Sequence, residues 1–248
     1  MSEKIWIIGA SEGIGRALAQ ELSRDNNNQL ILSARNSGRL DELSKDWVCK
    51  PLLVPLDLCD DDSVLKAWDS IHKSIGGIDK VIYCAGYYKP MSAENMELYE
   101  IQKMIDVNLI GVTRVLSCLV PEFIQQKSGH IILIGSIAGY IGLPRSMGYG
   151  ASKSGLIHLA ENLQCDLSHH NIKTQVINPG FVKTRLTDLN NFSMPSIMTP
   201  EEAAVHIIRA IERGKFESRF PFLLANSLKL ISYLPYWLYF KLAKLIRR

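Results

Sequence analysis

The stretch that most constrains this chain is its start. Lys4–Gly9 reads KIWIIG, then Gly9-Ala-Ser-Glu-Gly13-Ile-Gly15, then RALAQELSR. A short apolar run closed by glycine reads as a buried strand, and the segment after the glycines reads as a helix. Strand, glycine turn and helix present backbone N–H groups and a helix N-terminus to a pyrophosphate. The spacing is G-x-x-x-G-x-G rather than G-x-G-x-x-G, and alone such a triplet is often no more than a turn.

The pattern repeats along the 248 residues, the length of one α/β domain with a full core. Apolar runs QLILSAR, LLVPLD, DKVIYC, HIILIGS and IKTQVIN predict further strands, and the segments between them predict helices. Helices are expected over 37–48, over 61–75, from about Leu98, and from Pro200 to Arg213. In the second, Val64, Leu65, Trp68 and Ile71 form a core stripe. The third buries Ile101, Met104, Ile105, Leu109, Val112, Leu116 and Leu119, which leaves Asn108 in the opposite, solvated set. Alternating strands and helices predict a parallel sheet covered on both faces.

One constellation carries chemistry. Tyr149 and Lys153 are four apart, so both lie on one helix face, and Ser136 ends the apolar run HIILIGS thirteen residues before the tyrosine. A free tyrosine, with a pKa of roughly 10, is a poor acid or base at neutrality. A nearby ammonium favours the phenolate, a cationic nicotinamide would do so further, and a serine hydroxyl can hold a substrate oxygen in line. Tyr-x-x-x-Lys also occurs by chance on many helices; the serine upstream and the glycine loop give it weight.

Over nearly its whole length the chain resembles the classical short-chain dehydrogenase/reductase family. The resemblance implies a Rossmann-type, doubly wound α/β fold of three layers, α/β/α, with strand order 3-2-1-4-5-6-7 and a site outside the strands' carboxyl ends. It implies an oxidoreductase passing a hydride between a nicotinamide and a carbonyl or alcohol. Tyr149 would give or take the proton, Lys153 would lower its pKa and bind the ribose, and Ser136 would orient the oxygen. Asn108 would hold a water linking the lysine to solvent.

Cofactor contacts implied by the resemblance are Gly9, Ser11, Glu12, Gly13, Ile14 and Gly15 in the first turn, and Asp57-Leu58 at the adenine. Ala85-Gly86 would let the cofactor approach; Asn108, Tyr149 and Lys153 recur here. Pro179, Gly180, Val182 and Thr184, in P-G-x-x-x-T, would hold the nicotinamide carboxamide. Tyr83-Cys84 stands where the family usually has Asn-Asn, which removes an asparagine thought to brace the sheet. After the second strand, binders of NAD commonly carry an acid for the ribose hydroxyls. Ser33 and Arg35 stand there instead, and a guanidinium suits a 2′-phosphate. An exposed arginine after a strand is the plainer reading of Arg35, and some NADP-binding relatives place a second base in the glycine loop where this chain has Glu12. The expectation is NADP(H), with NAD(H) as the alternative cofactor.

The rest of the chain adds context. Five scattered cysteines without a C-x-x-C, and no signal peptide at the start, fit a cytoplasmic protein with reduced thiols. His169-His170 has no third metal ligand nearby and reads as a helix end, so no metal site is expected. The resemblance implies a mobile lid over the substrate at residues 185–199, where Phe192, Met194, Pro195 and Met198 suggest an apolar, adaptable pocket wall for a lipophilic ketone or aldehyde. The net charge of +3 divides unevenly: residues 214–248 carry seven bases and one acid, +6, which leaves −3 for the rest. No nucleic-acid partner is expected.

Residues 1–220 would be the catalytic domain and 221–248 an apolar, basic helical extension. In the extension Leu228, Ile231, Leu238, Leu242, Leu245 and Ile246 suggest one stripe, with Lys241, Lys244 and Arg248 on another side. Pro235 should interrupt the helix. Aromatics at 236–240 beside bases fit a helix lying on a membrane surface through residues 222–248; a subunit interface or a flap on the body fits equally. Homodimers and homotetramers are usual in the family. A cofactor-binding scaffold docked through the tail, and an NAD-linked alcohol dehydrogenase, are the competing functions.

Overall fold

The computed structural model describes the backbone of residues 3–246 and the side chains through Ala243. The side chains of Lys244, Leu245 and Ile246, and all of Arg247 and Arg248, lie outside the described residues. Seven strands form one parallel sheet: β1 (Glu3–Ile8), β2 (Asn28–Ala34), β3 (Leu52–Pro55), β4 (Lys80–Tyr83), β5 (Gly129–Ile134), β6 (Ile172–Pro179) and β7 (Glu217–Phe220). Their order is β3-β2-β1-β4-β5-β6-β7. β1 pairs with β2 through Ile5–Leu30 and Ile7–Leu32, and with β4 through Ile5–Lys80 and Ile7–Ile82. The winding reverses between β1 and β4, and a crevice opens at the carboxyl ends of the strands there.

Strands buried on both faces alternate their side chains into two cores. On one face, Ile5, Ile7, Leu30, Leu32, Ile132 and Ile177 meet α1 (Gly13–Leu22), α2 (Ser37–Ser44) and α7 (Pro200–Arg213). On the other, Trp6, Ile8, Ile31, Val81, Ile131 and Val176 meet α3 (Asp61–Ile75), α5 (Gly111–Gln126) and α6 (Met147–Leu167). α7 starts where the sequence predicts, because Thr199 and Glu202 form a reciprocal capping box with Pro200 in the first turn. In α3 the buried stripe is Val64, Ala67 and Ile71, whereas Leu65 is exposed; a step of one residue turns a side chain about 100° off the buried face.

The expected long helix is interrupted. α4 (Leu98–Ile105) runs into a π-turn over Asp106–Ile110 before α5 begins. The wider turn inserts a residue into the helical register. It therefore carries Asn108, which the spacing sets opposite the apolar face, to a position with no exposure at all. Tyr83, standing where an asparagine was expected to brace the sheet, holds this turn: its buried hydroxyl donates to the Val107 carbonyl at 2.7 Å. Among the described residues, 98–126 is the one stretch long and apolar enough to cross a membrane, and its Met104, Val112, Leu116, Leu119 and Phe123 lie in the core.

The tail forms α8 (Phe222–Ile231) and α9 (Tyr236–Ile246), broken at Pro235 as the sequence predicts. Ala225 and Leu228 pack on Ile137, beside Tyr140, Ile141 and Leu143 of the β5–α6 loop. The Tyr239 hydroxyl donates to the Gly142 carbonyl. A cavity of about 440 Å³ lies between this loop, the outer face of α6 and the α8–α9 corner, lined by Ile141, Met147, Ala151, Leu234 and Tyr239 among others. The tail thus packs on the body, while Phe222, Leu223, Leu230, Tyr233, Tyr236, Trp237 and Phe240 all face outward.

Candidate active site

β5 ends at Ile134, and the chain turns through Gly135 to Ser136. A Cβ at Gly135 would sit 2.0 Å from Asn178 Oδ1, so only glycine lets this turn lie against β6. Ser136 Oγ accepts the Ala138 N–H at 3.1 Å, which caps a short 3₁₀ turn over Ile137–Gly139 and fixes the hydroxyl at the mouth of the crevice. Tyr149 occupies the first turn of α6, with its hydroxyl facing Ser136 closely enough for that side chain to act on its pKa. Lys153, one turn on, is buried and donates from Nζ to the Ile134 carbonyl at 2.8 Å. The sequence-predicted trio is therefore brought together.

Its electrostatics differ from the expectation. Burial pushes the Tyr149 hydroxyl up to about 12, partly offset by the Ser136 side chain. Burial also pushes Lys153 down to about 8. Lys153 does not lower the tyrosine in this arrangement, because the loss of water around both groups disfavours each charged form. Its Nζ lies 5.8 Å from the Tyr149 ring centroid and is turned to a backbone carbonyl. A cation in the crevice, as a nicotinamide would be in its oxidised form, is needed to favour the phenolate.

Asn108 is a brace. Nδ2 donates to the Tyr87 carbonyl and to Ser152 Oγ, each at 2.9 Å, and Oδ1 accepts the Tyr87 N–H at 2.7 Å. Ser152 in turn donates to the Tyr149 carbonyl at 2.8 Å. The β4–α4 loop, the π-turn and the start of α6 are so tied together. Both amide donors are spent, so any water at Asn108 would have to bind one of its oxygen atoms.

Several site residues were not legible in the sequence. The Tyr88 ring meets Tyr149 edge-on, with centroids 5.0 Å apart, and its hydroxyl donates to Asn190 Oδ1 at 2.7 Å. That bond ties residues 185–199 to the β4–α4 loop directly over Tyr149. At the base of that segment, Lys183 N–H donates to the Met198 carbonyl at 2.8 Å, and Met198 N–H to the Phe181 carbonyl at 3.1 Å. Phe192 in the segment meets Phe181 before it edge-on. Tyr140 donates to Glu217 Oε1 at 2.6 Å; Glu217 also takes Arg219 at 2.8 Å and Lys229 at 3.4 Å. This cluster joins the turn after Ser136 to β7 and α8. Only the finished topology brings those residues together.

The crevice fits a dinucleotide. Gly9 (φ +86°) and Gly13 (φ +55°) adopt the left-handed region, and Gly9 lies so close to Ala85 that a Cβ would meet that backbone at 2.7 Å. A Cβ on Gly15 would meet the Gly9 carbonyl at 2.2 Å. No side chain caps α1 and its first turn holds no acid, which leaves its N–H groups and dipole for an anion. Ser11 and Ile14 are part-buried in this loop. Gly86 lies near Asn108 Oδ1, and Gly180 N–H donates to the Phe220 carbonyl at 2.7 Å. Val182 is buried, and the Thr184 methyl faces Gly13. Arg35 is exposed at the end of β2 and has no ion-pair partner among the described residues.

One expected contact, the Ser33 hydroxyl, is corrected, and two expected contact residues turn their side chains elsewhere. Ser33 is buried and its Oγ accepts the Trp6 indole N–H at 2.8 Å, so it offers no hydroxyl to a ribose; its carbonyl instead takes the N–H groups of Gly9 and Ala10. The Glu12 carboxylate faces arginines, Arg39 at 3.0 Å and Arg185 at 2.7 Å. The Leu58 side chain lies in the core, which leaves its main chain and the exposed Asp57 at the end of β3.

Comparison with known proteins agrees with this geometry. The family model described as short chain dehydrogenase matches residues 3–193. An uncharacterized oxidoreductase of Myxococcus xanthus is 32% identical over 244 residues, which cover 97% of this chain and 96% of that protein. Oxidoreductase BOA17 of Botryotinia fuckeliana is 32% identical over 204 residues, 82% of this chain and 74% of its own. Among solved structures, a short-chain dehydrogenase from Sphingobium yanoikuyae in complex with NADPH superposes with a TM-score of 0.80 at 23% identity, covering 94% of this chain and 96% of that one. One from Streptomyces avermitilis gives 0.81 at 20% identity, over 93% and 92%. At those identities the structures speak to the fold.

Proposed function

The chain belongs to the short-chain dehydrogenase family, whose members are oxidoreductases that bind NAD(P), and on that footing we propose that it reduces a lipophilic ketone or aldehyde with NADPH. The observation that carries the reading is the meeting of Ser136, Tyr149 and Lys153 at the end of β5, beside the glycine cradle. The bound cofactor would supply the hydride and, once oxidised, a positive charge. Ser136 orients the carbonyl oxygen, and Tyr149 delivers its proton to that oxygen as the hydride reaches the carbon. Lys153 holds the ribose side of the cofactor and Tyr149's helix turn. Asn108 keeps the surrounding loops in register, with its oxygens left for a water that returns the proton.

Arg35 favours NADP(H), because an unpaired guanidinium at the end of β2 suits a phosphate better than ribose hydroxyls. Phe181, Phe192, Met194 and Met198 in and beside residues 185–199 favour an apolar substrate under a lid. The unit would be residues 1–220 as catalytic domain, with 221–248 as an extension, assembled as a homodimer or homotetramer through α5 and α6. The outward aromatics of α8 and α9, with the exposed Lys241, suit the surface of an anionic membrane facing the cytoplasm.

The test is turnover of NADPH and of NADH over a panel of short and long-chain aldehydes and ketones, with Tyr149→Phe alongside. Faster NADPH use on the longer carbonyls, lost in the variant, is the expected result. Cofactor binding without turnover on any carbonyl would move the reading to a scaffold.

A further inference from the structure

Arg145 stands in the β5–α6 loop with φ +59°, a left-handed conformation that suits glycine or asparagine better than a long side chain. A neighbouring loop holds it there: the Arg145 carbonyl accepts the N–H of the buried Met91 at 2.9 Å. Residues kept in this region against their preference gather at functional sites. The Arg145 side chain reaches residues 185–199 and donates from Nη1 to Asn191 Oδ1. Asn190, next to it, accepts the Tyr88 hydroxyl at 2.7 Å and donates to Met194 Sδ at 3.3 Å. Tyr88 in turn meets Tyr149 edge-on, and the Arg145 charge is near enough to oppose the upward push of burial on the Tyr88 hydroxyl. Arg145 therefore shares with Tyr88 the rim above Tyr149. It is exposed, and among the described residues it pairs with no carboxylate; its partner is a neutral amide.

We propose that Arg145 is a specificity-determining residue that holds the carboxylate of an amphiphilic substrate, an oxo-acid whose apolar chain lies along Phe192 and Met194. This rests on the carbonyl-reductase reading and narrows its substrate from a lipophilic carbonyl to an anionic one. Asn191 takes Nη1, which leaves the Nε and Nη2 edge of the guanidinium for two parallel bonds to one carboxylate. A single carboxylate matches that fork in charge and in planarity. Lys89, beside Tyr88 in the chain, is already paired with Glu97 and Glu100. Phe192 and Met194 offer an adaptable apolar surface on the segment that Arg145 touches.

The experiment is calorimetric titration of the full chain, with NADPH present, by decanoate and by decanamide, which match in length and differ in charge. The wild type should bind decanoate about tenfold more tightly. Arg145→Ala should weaken decanoate about tenfold and change decanamide by no more than about twofold. Arg145→Gln can still donate to Asn191 but carries no charge, so it should behave like Arg145→Ala. Retained decanamide binding shows that both variants are folded. A wild type that binds the two ligands equally overturns the inference. So does a preference that survives in Arg145→Ala, because the carboxylate is then held elsewhere. Wild-type preference in Arg145→Gln overturns it too, since the residue is then a latch on Asn191 alone. The reductase reading fails separately, as no NADPH oxidation with any carbonyl, whereas the titration needs no turnover.

Discussion

Replacing Lys153 by methionine should change how stability depends on pH. Burial holds the Lys153 ammonium at about 8 against an ordinary 10.5. At about 1.4 kcal/mol per pKa unit, charged Lys153 costs the cofactor-free fold roughly 3 kcal/mol at neutral pH. Below about pH 8, folded and unfolded chains both hold the proton and the cost is constant. Between about 8 and 10.5 the folded chain has released the proton while the unfolded chain still binds it, so stability rises with pH; above that the cost is gone. Methionine keeps the volume and removes the titration, and losing the bond to the Ile134 carbonyl adds an offset independent of pH. Urea unfolding of wild type and Lys153→Met at pH 7, 8, 9 and 10, followed by circular dichroism, reads the difference. The stability of the wild type relative to the variant should improve by about 2–3 kcal/mol from pH 7 to 10. Tyr149, pushed up to about 12, acts in the opposite sense only between about 10 and 12, outside that window. A difference that stays constant with pH would refute a desolvated ammonium at this position.

Other perturbations test separate parts of the account. Gly15→Ala places a methyl 2.2 Å from the Gly9 carbonyl, so the glycine loop must move; dinucleotide affinity, by fluorescence titration, should fall at least about tenfold. Tyr140→Phe removes the 2.6 Å bond to Glu217 and should cost about 1 kcal/mol in urea unfolding, since Arg219 and Lys229 still pair that carboxylate. Tyr88→Phe cuts the bond to Asn190 and should raise KM more than it lowers kcat, if residues 185–199 close over the substrate as proposed and lose their tie to the β4–α4 loop. Trp237→Ala with Phe240→Ala changes two exposed side chains; Tm should move by no more than about 2 °C while sedimentation with anionic vesicles is lost.

Much of the fold was legible because β1 to β6 are short apolar runs bounded by turn residues. The start of α7 was legible because Thr199, Pro200 and Glu202 are local signals for a helix start. Tyr149 and Lys153 were legible because four-residue spacing fixes a shared helix face. The burial of Asn108 was not legible because a π-turn shifts register without a signature of its own in the surrounding residues. Ser33 was misread because the Trp6 indole that claims its hydroxyl comes from a neighbouring strand, 27 positions away. Tyr140 with Glu217, and Glu12 with Arg185, are joined only by tertiary structure, over 77 and 173 residues. The β7 segment, Glu-Ser-Arg-Phe, has too little apolar character to be read as a strand, yet pairing with Val176–Pro179 makes it one.

The most direct test of the central claim follows the transferred hydrogen. NADPH carrying deuterium at nicotinamide C4 is supplied with a long-chain aldehyde or ketone that the protein turns over, and the alcohol is analysed by mass spectrometry. The account predicts deuterium on the carbinol carbon with the wild type, and with Tyr149→Phe the labelled alcohol formed at least about a hundredfold more slowly. Unlabelled alcohol, or a Tyr149→Phe variant as fast as the wild type, would contradict it.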